Sequence, residues 1–271
     1  MNNSKPVALI TGASSGIGLE LAKQFIQNGH DLILVAEDRE GLDGAAMMLR
    51  ELGEGRVETI EADLSRPGGT RRVVHEVQRL GREVDVLVNN AGVGVYGKFV
   101  ETDLDEEVAM IYLNTIACVE LTKYFAPRMS QRGSGRILMT ASVASKTPIP
   151  YLSVYGATKA FVYEFSQALR EELRESGVTV TALMPGPTDT NFFERANATD
   201  SKILDEHLAD PADVAKAGFD ALMKGDDKVI VPLKYNVQTK LGHVVPDPLL
   251  AKQARKKHEP REEARDEARE R

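Results

Sequence analysis

The stretch "TGASSGIG", residues 11–18, follows the apolar, β-branched run "VALIT" at 7–11 and opens a helical pattern that reaches residue 28. Glycines at 12, 16 and 18 let a backbone turn sharply and approach a ligand closely. A helix starting there turns free N–H groups and its positive dipole end toward the turn, a setting suited to a pyrophosphate. Strand, glycine turn and helix in this order predict a nucleotide-binding crevice. A Lys and a Ser or Thr would follow the last glycine of a triphosphate-binding loop, but "LE" stands at 19–20, which argues against a nucleoside triphosphate with magnesium.

The same alternation continues along the chain. Apolar, β-branched runs at 31–36, 57–62, 84–89, 136–141, 178–184 and 228–232 alternate with helical patterns near 40–52, 67–80, 103–130, 154–175 and 211–224. Strands that are apolar throughout must be covered on both faces, and helical crossovers make them parallel. The pattern predicts a doubly wound α/β sheet of about seven strands. Gly29, Gly53 and Gly177 stand where left-handed helix caps are expected, and Pro67 and Pro211 near helix starts.

Composition narrows the function classes. The 271 residues are 42% hydrophobic and 28% charged, with a formal charge of −7. An acidic surface of this kind repels phosphate-rich polymers and anionic membranes, so a small molecule is the expected partner. Cys118, the single cysteine, lies in the apolar "NTIACVEL" and reads as a core thiol. The N-terminal "MNNSKPVALITG" enters a strand directly, and no apolar run suits a membrane span, so a cytoplasmic protein is expected. The histidines at 30, 75, 207, 243 and 258 are scattered, and no metal site is expected.

About 20 residues after the glycine turn, "LVAEDRE" places Glu37 and Asp38 at the end of the second strand. A carboxylate there accepts hydrogen bonds from ribose hydroxyls and repels a 2′-phosphate, which favours NAD over NADP.

Beyond this turn, "NNAG" at 89–92, Asn114, Ser142, "YGATK" at 155–159 and "PG" at 185–186 follow in order. Together with "TGASSGIG" they resemble the short-chain dehydrogenase/reductase family over residues 5–232. The resemblance implies a single Rossmann-type domain, a seven-stranded parallel sheet with helices on both faces, a nicotinamide cofactor and metal-free alcohol/carbonyl chemistry. It implies that Gly12, Ser14, Ser15, Gly16, Ile17 and Gly18 wrap the pyrophosphate. Asp63 and Leu64 would flank the adenine, and Asn90, Ala91 and Gly92 the riboses. Pro185 and Gly186 would approach the nicotinamide, while Thr188 and Thr190 hold its carboxamide or the phosphates. Relatives that use NADP usually carry a base just before the second glycine or just after the second strand, where this chain has Ser15 and Glu37.

The chemistry needs a hydride at carbon and a proton at oxygen. A phenol, with a pKa of about 10, is a poor base near neutrality unless its ionised form is stabilised. Lys159 stands four residues after Tyr155, on one helix face, where its charge, together with the positive nicotinamide of the oxidised cofactor, is expected to lower the phenol pKa. The resemblance makes Tyr155 the acid/base and adds a Lys159 contact to the nicotinamide ribose. Ser142 would steady the substrate oxygen, and Asn114 would bend its helix and hold a water in the proton path. Ser145 and Ser153 are rival hydroxyls, and the thirteen-residue offset to Tyr155 selects Ser142.

Residues 1–250 are expected to form the dinucleotide-binding and catalytic domain, with a substrate lid over 186–210. Substrate walls are expected from 94–96, Val143, 148–151 and 186–205, with Ile149, Tyr151, Phe192 and Phe193 suggesting an apolar carbonyl compound or alcohol. Past Leu250, eight basic and six acidic side chains with little apolar surface predict a frayed tail. Solvated pairs such as Glu262 with Arg265 or Glu267 with Arg271 would permit a helix. The resemblance implies a homodimer or homotetramer through helices 103–130 and 154–175. The rival reading is a non-catalytic dinucleotide-binding scaffold or redox sensor; the joint presence of Asn114, Ser142, Tyr155 and Lys159 argues against it.

Overall fold

Val7–Thr11 (β1) is buried along its whole length, as a strand sandwiched between two helical layers must be. The computed structural model describes residues 5–232 and 246–261. After β1 come α1 (Gly16–Gln27), β2 (Asp31–Ala36), α2 (Arg39–Leu52), β3 (Val57–Glu61), α3 (Gly69–Leu80) and β4 (Val86–Asn89). The second half holds α4 (Leu104–Ile111), α5 (Ala117–Arg132), β5 (Gly135–Thr140), α6 (Ser153–Glu172) and β6 (Val178–Pro185). Short α7 (Phe192–Arg195), α8 (Pro211–Lys224), β7 (Lys228–Val231) and α9 (Asp247–His258) complete it.

The seven strands pair in parallel in the order β3-β2-β1-β4-β5-β6-β7. Successive residues face opposite layers, so β1 sends Val7 and Leu9 to one core and Ala8 and Ile10 to the other. On the first face Leu9, Leu87, Ile137 and Val180 pack with Val73 of α3, Phe125 of α5 and Val162 of α6. On the second, Ile10, Val88 and Leu183 pack with Phe25 of α1, Leu49 of α2 and Phe219 of α8. The chain winds outward from β1 through β2 on one side and resumes through β4 on the other, which opens a crevice at their C-terminal ends. Among the described residues no helix is long and apolar enough to cross a membrane.

The expected strands and helices stand within one to three residues of their observed bounds. Gly29 and Gly177 adopt φ of 80° and 76°, as left-handed caps do. Gly53 does not: its φ is −170°, and a Cβ there would come 2.7 Å from the carbonyl oxygen of Ile26. Close approach of α1, not handedness, requires that glycine.

The expectation of a frayed tail fails for residues 251–258, which belong to α9. Charges that looked surplus along the sequence pair across space with the 186–210 segment. Lys257 meets Glu206 at 2.7 Å, Glu259 meets Lys202 at 2.9 Å, and Arg261 meets Asp205 at 2.7 Å. The residue pairs 262/265 and 267/271 lie outside the described residues. The 186–210 segment itself forms a small core of Phe193, Ala196, Ala198 and Ile203, against which Tyr96 and Phe192 pack.

Candidate active site

The crevice begins at the glycine turn. Gly12 adopts φ +65°, and a Cβ there would meet the Cα of Ala91 at 2.9 Å. At Gly18 a Cβ would lie 2.0 Å from the carbonyl oxygen of Gly12, so α1 reaches the strand only because this position has no side chain. Thr11 ties the ends of β1 and β4 together, its Oγ1 accepting from the N–H groups of Asn90 and Ala91, each at 3.0 Å. Asn90 Nδ2 donates to the Thr11 carbonyl at 3.0 Å. Ser15 precedes α1 and makes no side-chain cap, which leaves the first-turn N–H groups for an anion.

A cleft of about 320 Å³ runs from this turn across the sheet edge, a volume suited to a small-molecule site. Gly12, Ser14, Ser15, Gly16, Ile17 and Gly18 line it with Glu37, Asp63, Leu64, Asn90, Ala91 and Gly92. Pro185, Gly186, Thr188 and Thr190 close it from the β6 side. Glu37 is exposed, and neighbouring Arg39 turns to Asp43 at 2.9 Å. The missing Cβ atoms at Gly12 and Gly18 and the uncapped helix start together fit a dinucleotide pyrophosphate.

Ser142, Tyr155 and Lys159 line the middle of this cleft. Ser142 follows β5; its Oγ accepts from the N–H of Ala144 at 3.1 Å and donates to the Pro185 carbonyl at 3.3 Å. The Lys159 ammonium donates to the Thr140 carbonyl at 2.9 Å and stands 5.8 Å from the centre of the Tyr155 ring. Burial pushes the Tyr155 phenol up to about 12, opposed by hydrogen bonding with Ser142, and pushes Lys159 down to about 8. Within the protein itself desolvation of the phenol is the larger effect, and the lowering expected from Lys159 acting with the oxidised nicotinamide belongs to the complex.

Asn114 sits in a single π-helical turn, Tyr112–Ile116, between α4 and α5. Its amide clamps Val93, with Oδ1 accepting from the N–H at 3.0 Å and Nδ2 donating to the carbonyl at 2.9 Å. Gly92 lies between the two groups: a Cβ there would come 3.1 Å from both Asn114 Oδ1 and Lys159 Nζ.

On the substrate side, Val143, Ile149, Phe192 and Phe193 line the cleft, with the Phe192 ring 5.2 Å from that of Tyr155. Among the other expected wall residues, Gly94, Tyr96 and Tyr151 are placed differently. Tyr96 and Tyr151 stack on each other at 5.8 Å, and Gly94 admits the Phe192 ring, since a Cβ there would meet its Cζ at 2.8 Å. Thr140 and the α9 residues Leu250, Gln253, Ala254, Lys257 and His258 also line the cleft and escaped the sequence reading. The spacing of 250, 254 and 258 was the available signal, a single helix face.

The family model described as short chain dehydrogenase matches residues 6–201. The chain belongs to the short-chain dehydrogenase/reductase family. It is 32% identical over 234 residues to the mouse protein named dehydrogenase/reductase SDR family member 7B, covering 83% of this chain and 72% of that one. Among solved structures it resembles a short-chain dehydrogenase from Sphingobium yanoikuyae in complex with NADPH. That match has 35% identity and a TM-score of 0.80, over 88% of this chain and 94% of the other. It also resembles the bulky-bulky ketone specific alcohol dehydrogenase from Comamonas testosteroni, with 33% identity and a TM-score of 0.76 over 89% and 94% of the chains. As a member of the family the protein is an oxidoreductase of the alcohol/carbonyl pair.

Proposed function

We propose that this short-chain dehydrogenase interconverts an alcohol and its carbonyl compound with a nicotinamide dinucleotide, preferring NAD to NADP. The observation that carries the reading is the convergence of Ser142, Tyr155 and Lys159 in the cleft that begins at the glycine turn. The bound dinucleotide supplies the hydride to carbon or accepts it. Tyr155 gives its proton to the substrate oxygen during reduction and takes it back during oxidation. Ser142 donates to that oxygen as charge develops on it. Lys159, anchored on the end of β5, provides the positive charge on which phenolate formation depends, and Asn114 fixes the backbone at Val93 beside it.

The NAD preference rests on Glu37, exposed at the adenosine end of the cleft with no base at 15 or 37. The Sphingobium relative is in complex with NADPH, so the cofactor test is decisive. A panel of ketones and alcohols followed at the nicotinamide absorbance with each dinucleotide checks both parts. Absence of turnover with any pair overturns the reaction, and higher kcat/KM with NADP overturns the role of Glu37.

Assembly as a homodimer or homotetramer is part of the same reading. Leu104, Val108 and Ile111 make an exposed apolar stripe on α4 that continues to Ile116, and Phe161 stands exposed on α6. Light scattering should report an oligomer that Val108→Arg dissociates; a wild-type monomer would reject it.

A further inference from the structure

The helix α9 has no buried residue, and its charged composition gives an isolated twelve-residue helix little stability in water. It is held instead by the lid. Tyr96 Oη donates to the His258 carbonyl at 2.5 Å, Ser201 bridges to Pro260, and the Lys202–Glu259, Glu206–Lys257 and Asp205–Arg261 pairs fasten its C-terminal end. Single exposed ion pairs contribute little, but several between the same two segments fix one geometry.

That geometry faces α9 toward the site. Leu250, Ala254 and His258, each half-buried and one turn apart, line the same cleft as Tyr155. Ile149, Leu152, Phe192, Phe193 and Ile203 line the same cleft and give it a largely apolar surface beside the polar Asn191, Arg195 and Glu206. A ligand that binds here removes this surface from water only if it carries apolar bulk of its own.

We propose that α9 is the outer wall of the substrate chamber, and that the chamber takes a ketone or secondary alcohol with a bulky apolar arm reaching from Tyr155 to Leu250 and Ala254. The inference rests on the alcohol/carbonyl reading for the reacting group, while the wall itself is a matter of binding.

The chain has no tryptophan, so Leu250→Trp places a single reporter on the proposed wall, with Ala254→Trp as a second variant one turn away. The expected emission is blue-shifted, is quenched by NADH, and changes saturably with dicyclohexyl ketone but only linearly with acetone. Solvent-like emission in both variants, or no saturable response to dicyclohexyl ketone, overturns the proposal. If the bulky ketone shifts the emission saturably while the wild-type enzyme reduces no ketone, the wall stands and the assigned reaction falls.

Discussion

The Lys159 ammonium is hydrogen-bonded to the carbonyl of Thr140, the last residue of β5, and not to the phenol of Tyr155, whose ring centre lies 5.8 Å away. The lysine is thus positioned by the sheet rather than by its helical neighbour. Both groups are kept neutral more easily than in water, the phenol at about 12 and the lysine at about 8. A proton therefore leaves Tyr155 readily only when positive charge is brought close, which fits chemistry confined to the complex with cofactor and substrate.

Tyr155→Phe should lower kcat by roughly 10²- to 10⁴-fold, the usual contribution of a positioned acid/base. NADH binding, read from nicotinamide fluorescence, should stay unchanged because the ring remains. Wild-type turnover in this variant would remove Tyr155 from the reaction.

The depressed Lys159 also has a stability signature. Its folded value of about 8 lies below its ordinary 10.5, so between these pH values the unfolded chain binds a proton that the folded chain has released. Stability then rises with pH across that window. Tyr155 has the opposite sign, its raised folded value of about 12 costing stability as pH rises above 10. The urea midpoint should increase from about pH 8 to pH 10 in the wild type and rise less in Lys159→Met. An identical rise in both would assign the slope to other groups.

Much of the fold and half of the site were legible because they are local. The strand at 7–11, the glycine turn and the helix after it are consecutive, and burial on both faces leaves an unbroken apolar run. Ser142, Tyr155 and Asn114 could be placed because each holds a fixed position at a strand end or along a helix. The Thr140 contact of Lys159 was not legible, since any strand-end carbonyl looks alike in sequence. The helix α9 was hidden for a different reason: its partners at 202, 205 and 206 lie some fifty residues away, and charge pairs at that separation leave no periodic trace.

At the other end of the cleft, Glu37→Gln should raise kcat/KM with NADP relative to NAD by about tenfold, a difference of about 1.4 kcal/mol. The change removes like-charge repulsion toward a 2′-phosphate and one acceptor for the ribose hydroxyls. Arg195 Nη2 lies 3.4 Å from Ser15 Oγ at the same turn, so Arg195→Gln should weaken both dinucleotides. An unchanged ratio in Glu37→Gln would show that the carboxylate does not discriminate.

The attachment of α9 should depend on pH through His258. Burial, reinforced by neighbouring Lys257 and opposed by Glu206, pushes this imidazole down to about 4 from its usual 6.5. Its Nδ1 is buried with no hydrogen-bond partner among the described residues, so protonation there has nothing to satisfy it. Between pH 6.5 and 4 the detached helix binds the proton more tightly than the docked one. Docking is therefore fully favoured above 6.5 and weakens as pH falls toward 4. The Leu250→Trp reporter should red-shift across that range. The Lys257–Glu206, Lys202–Glu259 and Arg261–Asp205 pairs hold the same end of the helix. The control is His258→Gln in the same reporter background, which should move the transition to lower pH and make it shallower. If the two titrations superimpose, the ion pairs alone control the wall and His258 has no part in it.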